Sequence, residues 1–309
     1  MRRPLIIGHR GAPCIAPEHT ETSYRAAFAA GVDLVEPDVV VSKDGVLVVR
    51  HEPELSSTTD VADRFEYRSR LTRKRYGRIA ETGWFAEDFT LAELNTLNAR
   101  ERLPQLRPAS AHYGDSAAGT TLSRILTLAD LIELTSETAP EVGLVIELKH
   151  DARTRRIGHD YVDLIEQQLA GYWDAPAMRE VRWESFELDL LERMRERDLP
   201  GKRILLVSPA PSDPHEEGPS RLTDSGLDGI THHDGVSVYI SQLDADLVER
   251  AHARELEAMS YTVRPEDAFL PPSYRGRYDD YVRDLAATGV DALFCDDPGS
   301  AIAALAAKQ

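Results

Sequence analysis

Short apolar runs and longer amphipathic stretches alternate along the chain. Short runs rich in β-branched residues predict strands, and an apolar periodicity of three to four residues predicts helices. On this basis we predict strands at 4–8, 34–41, 143–149, 181–186, 203–207, 227–231, 256–263 and 290–295.

Helices are predicted between these strands. The helix at 21–30 has readable ends, because Thr20 is a suitable N-cap and Gly31 a suitable C-terminal residue in the left-handed region. Further helices are predicted at 127–138, 155–171, 187–197, 243–254, 278–288 and 298–307.

Eight strands separated by helices are typical of a closed (β/α)8 TIM barrel. The alternative is an open doubly wound sheet, which usually carries a glycine-rich turn after its first strand. Here that turn reads Gly8-His9-Arg10-Gly11 and contains no GxGxxG pattern. We therefore predict one TIM-barrel domain over residues 1–309.

The second barrel strand is predicted to continue into a hairpin. The pair Asp44-Gly45 separates two apolar runs and is a strong signal for a tight antiparallel turn. Because the chain then reverses, we expect His51 to return close to Glu36 and Asp38.

Residues 52–120 interrupt the alternation. They are rich in charged and aromatic residues, hold one short helix at 90–94, and continue as Pro-rich and Gly/Ser-rich sequence. Their apolar content is too small for a separate core. We expect an insertion that packs over the mouth of the barrel.

The net charge disfavours several classes of partner. The chain has 309 residues and a net charge of −17, which counts against a general nucleic-acid binder and against docking on anionic membranes. It contains no apolar run long enough for a membrane span. A small anionic substrate would need local positive charge from a metal or a few basic side chains.

Cysteine content and the N-terminal sequence bear on location. Cys14 and Cys295 are far apart in the chain, and we expect both thiols to be free. The first residues hold too few apolar side chains for a secretory signal. The chain as given is expected in the cytoplasm, or outside it if a signal has been removed.

Ionisable residues stand at the ends of the first three predicted barrel strands. The carboxyl ends of TIM-barrel strands carry the functional groups of such enzymes. The hairpin would bring His51 to the same place. The strand-end residues are His9, Arg10, Glu36, Asp38, Glu147 and Lys149.

Three of these residues suit a metal. Glu36 and Asp38 are two apart in a strand and face the same way, and Glu147 lies on the next strand. An all-oxygen set without cysteine favours Mg²⁺ or Ca²⁺ over Zn²⁺. The alternative is a set of solvated acids in salt bridges. Three inward-facing carboxylates would repel one another without a cation, which favours the metal site.

His9 and His51 are candidates for proton transfer. Each alone would more often be a structural histidine. Together, beside a metal, they suit a general acid and a general base. Arg10 and Lys149 would supply the fixed positive charge that a phosphate requires.

These motifs resemble the glycerophosphodiester phosphodiesterase family. The resemblance includes the bacterial branch with an insertion after the strand-2 hairpin and covers most of the chain, most weakly at 208–275. The segments that carry it are HRG through PEHT (9–20), VEPDVVVSKDGVLVVRHE, IELK, FTLAELNTLNARERLP, TLADLIEL and VDALFCDDP.

The resemblance implies a TIM barrel that hydrolyses glycerophosphodiesters such as glycerophosphocholine to an alcohol and sn-glycerol 3-phosphate. It implies one divalent cation, Mg²⁺ or Ca²⁺. It also implies roles for matching residues, as follows: Glu36, Asp38 and Glu147 bind the metal, His9 and His51 are the acid and base, Arg10 and Lys149 bind the phosphate, and Glu18 supports the site.

The sequence departs from the family pattern in two places. The usual His-Asp pair is His51-Glu52, so that Glu52 takes the supporting role, and the usual Trp-Thr-Val of strand 7 begins with Tyr261. Phe186 in the Ser-Phe of strand 4 matches and would border the glycerol. Phe186 and Tyr261 are therefore expected to contact substrate and to affect its selection.

Two other functions remain open at this point. One is a related barrel phospholipase of the phospholipase D type acting on lipid phosphodiesters, which the acidic charge disfavours. The other is a non-catalytic protein that binds phosphorylated polyols.

In the hydrolytic reaction, either water or the glycerol 2-hydroxyl would serve as the attacking group. The expected partner is a small-molecule substrate, with neither nucleic acid nor stable membrane insertion, and the sequence carries no signal for an oligomeric state.

Overall fold

The computed structural model describes residues 3–120 and 123–307. Its strands are β1 (Leu5–His9), β2 (Leu34–Glu36), β3 (Asp38–Val41), β4 (Leu47–Val49), β5 (Thr72–Tyr76), β6 (Ile79–Gly83), β7 (Gly143–Leu148), β8 (Arg182–Ser185), β9 (Lys202–Val207), β10 (Gly235–Tyr239), β11 (Glu257–Val263) and β12 (Ala292–Cys295).

The helices alternate with these strands. They are α1 (Glu21–Ala30), α2 (Leu91–Leu94), α3 (Pro108–Ala117), α4 (Leu128–Thr138), α5 (Asp151–Arg156), α6 (Tyr161–Gln168), α7 (Leu188–Glu196), α8 (Asp224–Asp228), α9 (Ala245–His252), α10 (Tyr278–Ala287) and α11 (Pro298–Ala306).

The main sheet closes into a parallel barrel. Its order is β2-β1-β12-β11-β10-β9-β8-β7, and β7 pairs back to β2. The first strand lies beside the last, with Gly8 opposite Cys295. The predicted (β/α)8 TIM barrel is confirmed.

The second barrel strand is divided at Pro37 into β2 and β3. The Pro37 carbonyl accepts a hydrogen bond from the backbone of Glu147 at 2.9 Å, and the Glu36 carbonyl accepts one from Arg10 at 3.0 Å. β4 then returns antiparallel to β3, with Val39 opposite Val49. The predicted hairpin is therefore present and leads directly to His51.

The predicted ends of α1 are confirmed, and α4 begins at a cap that was not predicted. Thr20 caps α1 by accepting a hydrogen bond from the backbone N–H of Ser23, and Gly31 follows the helix with φ of 82°. Thr127 and Asp130 form a reciprocal capping box at the start of α4.

Two predicted elements were wrong. The strand expected at 227–231 is the end of α8 and a turn, and the sixth barrel strand is β10 instead. Leu227 in α8 and Ile230 in the turn that follows it are both buried, three residues apart as on one face of a helix. The helix expected at 155–171 is two helices, α5 and α6, since the chain turns at Gly158 with φ of 93°.

The insertion contains more regular structure than predicted. It forms the β5–β6 hairpin and α3 in addition to α2. Most side chains of β5 and β6 are partly or fully exposed, so the sequence there lacked the apolar alternation that marks a strand.

The insertion shares an apolar cluster with the β3–β4 hairpin. Val40 and Val48 of the hairpin pack with the insertion's buried side chains, so this part of the insertion is buried against the barrel wall. The cluster comprises Val40, Val48, Leu55, Val61, Tyr67, Ala86, Phe89, Leu94, Leu97 and Ile125.

Cys14 and Cys295 are both free thiols, as expected. Among the helices of residues 3–120 and 123–307, none combines the length and the apolar character required to cross a bilayer.

Candidate active site

A cavity of about 450 Å³ opens at the carboxyl ends of the barrel strands. Most of the residues predicted to act on substrate line it, and Arg102 of the insertion is also in its wall. The predicted residues in the lining are His9, Arg10, Glu36, His51, Glu147, Lys149, Phe186 and Tyr261. Asp38, Glu18 and Glu52 lie behind that lining and contact it.

The three predicted metal ligands come together. One oxygen from each of Glu36, Asp38 and Glu147 lies within 4.8 Å of the others, and all three side chains are buried. The ammonium of Lys149 lies 2.6 Å from Glu147 Oε1 and 2.9 Å from Asp38 Oδ1. Although the second barrel strand is divided at Pro37, Glu36 and Asp38 lie on the same side of the barrel wall.

The protonation equilibria of this cluster are strongly displaced. Burial, together with the charge of Asp38, raises the pKa of Glu36 well above its usual range. Burial raises the pKa of Glu147 to about 8 against the opposing charge of Lys149. Burial also acts to raise the pKa of Asp38, but the positive charges around it, led by Lys149, hold it well below its usual range.

These shifts favour a cation at the cluster. Without one, the buried carboxylates resist ionising together, although Lys149 offsets part of the charge. A hard divalent cation prefers oxygen ligands of this type. The residues present therefore fit a Mg²⁺ or Ca²⁺ site.

His19 orients Asp38 and was not assigned a role from the sequence. Its Nε2 lies 3.0 Å from Asp38 Oδ2, and its Nδ1 lies 2.9 Å from the hydroxyl of Tyr24. Arg10 Nε lies 3.2 Å from the same Asp38 oxygen. Asp38 is thus held from two sides.

His9 forms a pair with a carboxylate from the opposite end of the chain. Its Nδ1 lies 2.5 Å from Asp296 Oδ1, and its ring meets Phe294 edge-on. Burial, with the nearby charge of Arg10, lowers the pKa of His9 to about 4. His9 is therefore neutral at pH 7 in the free protein.

His51 forms a second pair of the same kind. Its Nδ1 lies 2.6 Å from Glu52 Oε1, so glutamate in place of the family's aspartate still reaches the ring. Burial and the charges of Arg10 and Lys149 lower the pKa of His51. In both pairs Nδ1 faces the carboxylate, which leaves Nε2 as the nitrogen for proton exchange.

Two arginines of the insertion contact the carboxylates of these pairs. Arg102 binds both Glu18 and Glu52, while Arg107 binds Asp296 at 2.5 Å. Glu18 in turn lies 3.1 Å from Arg10 Nη1. The predicted supporting residues Glu18 and Glu52 are therefore linked through Arg102.

Aromatic side chains form another part of the cavity lining. Phe186 and Tyr261 meet edge-to-face with ring centroids 6.0 Å apart, and Tyr239 packs on Tyr261 at 5.8 Å. The Tyr261 hydroxyl donates a hydrogen bond to the carbonyl of Val207 at 2.9 Å. The cavity thus joins a charged region to an apolar one.

Glu184 is a further buried acid in the lining that sequence reasoning missed. It lies beside Glu147 in the strand register, and its Oε1 has no hydrogen-bond partner among the described residues. Burial raises its pKa well above the usual range.

The missed residues differ in whether the sequence could have revealed them. Asp296 directly follows β12, so the strand-end argument that selected His9 applies to it equally. Glu184 stands near the end of β8 in the same way. Arg102 and Arg107 belong to an irregular insertion, where nothing in the local pattern marks them.

Comparison with known proteins gives consistent matches. The glycerophosphoryl diester phosphodiesterase family model matches residues 9–300. A glycerophosphodiester phosphodiesterase of Arabidopsis thaliana is 29% identical over 96% of this chain and 85% of its own length. One of Haemophilus influenzae is 32% identical over 63% of this chain, and the match spans about half, 53%, of that relative.

Solved structures share the fold. A phosphodiesterase from Oleispira antarctica, solved in complex with the product sn-glycerol-3-phosphate, superposes with a TM-score of 0.70 at 22% identity, covering 99% of this chain and 98% of that one. A glycerophosphodiester phosphodiesterase from Agrobacterium tumefaciens gives 0.63 at 19% identity, covering 97% and 99%. With the family match over nearly the whole sequence, this chain belongs to the glycerophosphoryl diester phosphodiesterase family.

Proposed function

We propose that this protein hydrolyses glycerophosphodiesters to an alcohol and sn-glycerol 3-phosphate, with one divalent cation. The observation that carries the proposal is the presence of two histidine–carboxylate pairs and a three-carboxylate cluster at one cavity. Membership of the family and the product complex of the Oleispira antarctica protein support it.

Glu36, Asp38 and Glu147 would hold the cation, Mg²⁺ or Ca²⁺. A bound divalent ion would neutralise charge on the phosphate and lower the pKa of the attacking oxygen. Lys149, which contacts both Asp38 and Glu147, keeps part of the cluster's charge balanced from the protein side.

His9 and His51 would transfer the protons. Each carboxylate partner fixes the ring so that Nε2 is available to the substrate. A neutral histidine accepts the proton of the attacking group, and the other, protonated once the anionic phosphate is nearby, donates to the departing alkoxide.

Arg10 and Lys149 would supply positive charge to the phosphate. Both are buried and line the cavity. Their carboxylate contacts hold them in place: Glu18 contacts Arg10, and Glu147 contacts Lys149. Charge fixed in advance stabilises the transition state without reorganisation during the reaction.

Phe186 and Tyr261 would border the glycerol or the departing alcohol. Their rings offer an apolar face for carbon atoms, next to the charged groups that would hold the phosphate. This placement makes the aromatic side of the cavity the expected determinant of substrate preference.

We further propose that the chain forms a single catalytic domain, with 52–120 over the barrel mouth. Arg102 of the insertion lines the cavity, and the insertion's apolar side chains pack on the β3–β4 hairpin.

The proposal is tested by release of glycerol 3-phosphate from a panel of glycerophosphodiesters with Mg²⁺, with Ca²⁺ and after chelation. We expect turnover with at least one metal and its loss on chelation. Absence of turnover from every diester would overturn the proposal. Phosphorus NMR during turnover distinguishes direct attack by water from attack by the 2-hydroxyl, since only the latter passes through a cyclic phosphate.

A further inference from the structure

The insertion contacts both histidine pairs from behind, through one arginine each. Arg102 binds Glu52, the partner of His51, and Arg107 binds Asp296, the partner of His9. The two arginines are five positions apart in the sequence. Each pair therefore continues outward as a histidine, a carboxylate and an arginine.

The guanidinium of Arg102 is almost fully engaged by carboxylates. Its Nε and Nη2 lie 2.5 and 2.6 Å from the two oxygens of Glu18, and its Nη1 and Nη2 lie 2.7 and 2.5 Å from those of Glu52. An arginine has five N–H donors. Four of them are used here, which leaves little capacity for direct binding of a phosphate.

Arg107 is held as firmly. Its side chain is 3% exposed, its Nη2 lies 2.5 Å from Asp296 Oδ2, and its Nε lies 2.5 Å from Glu266 Oε1. Arg264 Nε also approaches Asp296, at 3.2 Å. The second carboxylate oxygen of Asp296 is thus held by the positive charges of Arg107 and Arg264.

These contacts keep each carboxylate ionised and in one orientation. Burial would raise the pKa of Asp296, but His9 and Arg107 together hold it below its usual range. His51 and Arg102 likewise hold the pKa of Glu52 below its usual range, against the effect of burial. An ionised, fixed carboxylate holds the ring's Nδ1–H toward itself, which keeps Nε2 directed away from it.

We propose that Arg102 and Arg107 are positioning residues for catalysis, Arg102 acting through Glu52 on His51 and Arg107 acting through Asp296 on His9. The insertion then contributes residues to the active site in addition to lying over the barrel mouth. This inference rests on the proposed roles of the two histidines. Removal of either arginine is expected to lower kcat about 10- to 100-fold, the usual cost of losing a residue that orients another functional group.

Double substitutions separate this role from a general loss of structure. We expect Arg102→Gln to lower kcat by a much larger factor in the wild type than in His51→Ala, because its effect on proton transfer passes through His51. A smaller loss in His51→Ala is expected from its contact with Glu18, which holds Arg10. Arg107→Gln should lower the residual activity of His51→Ala further. In His9→Ala, Arg107→Gln should have little further effect, whereas Arg102→Gln should lower the residual activity further. If Arg102→Gln lowers His51→Ala by the same factor as the wild type, the inference is wrong.

Arg100→Gln is the matched control. Arg100 belongs to the same insertion and pairs with Asp63 at 2.7 Å, but both side chains are about half exposed or more. This variant should keep wild-type kcat and KM. A loss equal to that of Arg102→Gln would indicate that the insertion merely needs to be folded, and would overturn the inference.

A second measurement does not depend on turnover. The ¹⁵N shifts of the imidazole nitrogens report which nitrogen carries the proton. Arg102→Gln should change those of His51 and leave those of His9, and Arg107→Gln should do the opposite. Unchanged shifts in both variants would refute the positioning role even in an active enzyme. A wild type without turnover would instead refute the proposed function.

Discussion

His9 Nδ1 lies 2.5 Å from Asp296 Oδ1, although the two residues are 287 positions apart in the chain. The contact exists because β1 and β12 are neighbours in the closed barrel, with Gly8 opposite Cys295. By contrast, His51 obtains its carboxylate from the adjacent Glu52. The same arrangement is thus built once by barrel closure and once locally.

Loss of either histidine should reduce turnover strongly. We expect His9→Ala and His51→Ala each to lower kcat about 10²- to 10⁴-fold, the usual contribution of a general acid or base. Steady-state release of glycerol 3-phosphate measures this. Near-normal kcat in either variant would exclude that histidine from proton transfer.

Removing one acid from the carboxylate cluster should separate metal binding from stability. Glu36→Gln is expected to leave the metal-free protein at least as stable as wild type, because a buried carboxyl with a raised pKa is replaced by a neutral group. Metal at 100 times its Kd should stabilise the wild type by about 2.7 kcal/mol and the variant much less. Thermal unfolding with and without metal measures both effects.

Glu21→Gln is the control for this experiment. Glu21 is a partly exposed residue of α1 that pairs with Arg25, and it should keep the full metal-induced shift. An equal metal-induced shift in Glu36→Gln would show that Glu36 is not a ligand.

Burial of His9 should make stability depend on pH. The pKa of His9 falls from 6.5 to about 4 on folding, so between these values the unfolded chain binds a proton that the folded protein does not. Stability from this group is present above pH 6.5 and is lost as the pH falls toward 4.

His9→Gln should therefore flatten the pH dependence in that window. The slope of unfolding free energy between pH 4 and 6.5 should decrease by at most about 1.4 kcal/mol per pH unit relative to metal-free wild type, with the largest change near the middle of the window. Denaturant unfolding at several pH values measures it. If the unfolding free energies of the variant and the wild type depend on pH in the same way, the pKa of His9 is the same in the folded and the unfolded protein.

The insertion and the barrel should unfold together. Phe89 is fully buried in the cluster shared with the β3–β4 hairpin, and Phe89→Ala should cost about 3–5 kcal/mol. Trp84 reports on the insertion, and Trp183 on the barrel. Variants that retain only Trp84 or only Trp183 of the chain's three tryptophans should show the same midpoint, and Phe89→Ala should lower both equally. Separate midpoints would indicate an independent domain.

Local patterns predicted much of the fold and the site residues that stand at strand ends and after the hairpin. The capped helix after Thr20, the hairpin at Asp44-Gly45 and the strand-end acids all depend on short-range chemistry that is visible in the sequence. The sixth strand was misplaced because Leu227 in α8 and Ile230 in the following turn are buried apolar residues, and apolar character alone does not separate helix from strand.

The rest of the site depends on contacts between segments that are distant in the sequence. Asp296 meets His9 only because the barrel closes, and Arg102 reaches Glu18 across 84 residues. Such pairs leave no spacing in the sequence. The strand-end argument could have selected Asp296, whereas the arginines depend on how an irregular insertion folds back.

The pairing of β1 with β12 has a consequence for synthesis. During synthesis His9 leaves the ribosome 287 positions before the carboxylate of Asp296. Until β12 pairs with β1, His51 has its adjacent carboxylate but His9 lacks the carboxylate of Asp296. Full hydrolytic competence would then appear late, at the moment when the barrel closes.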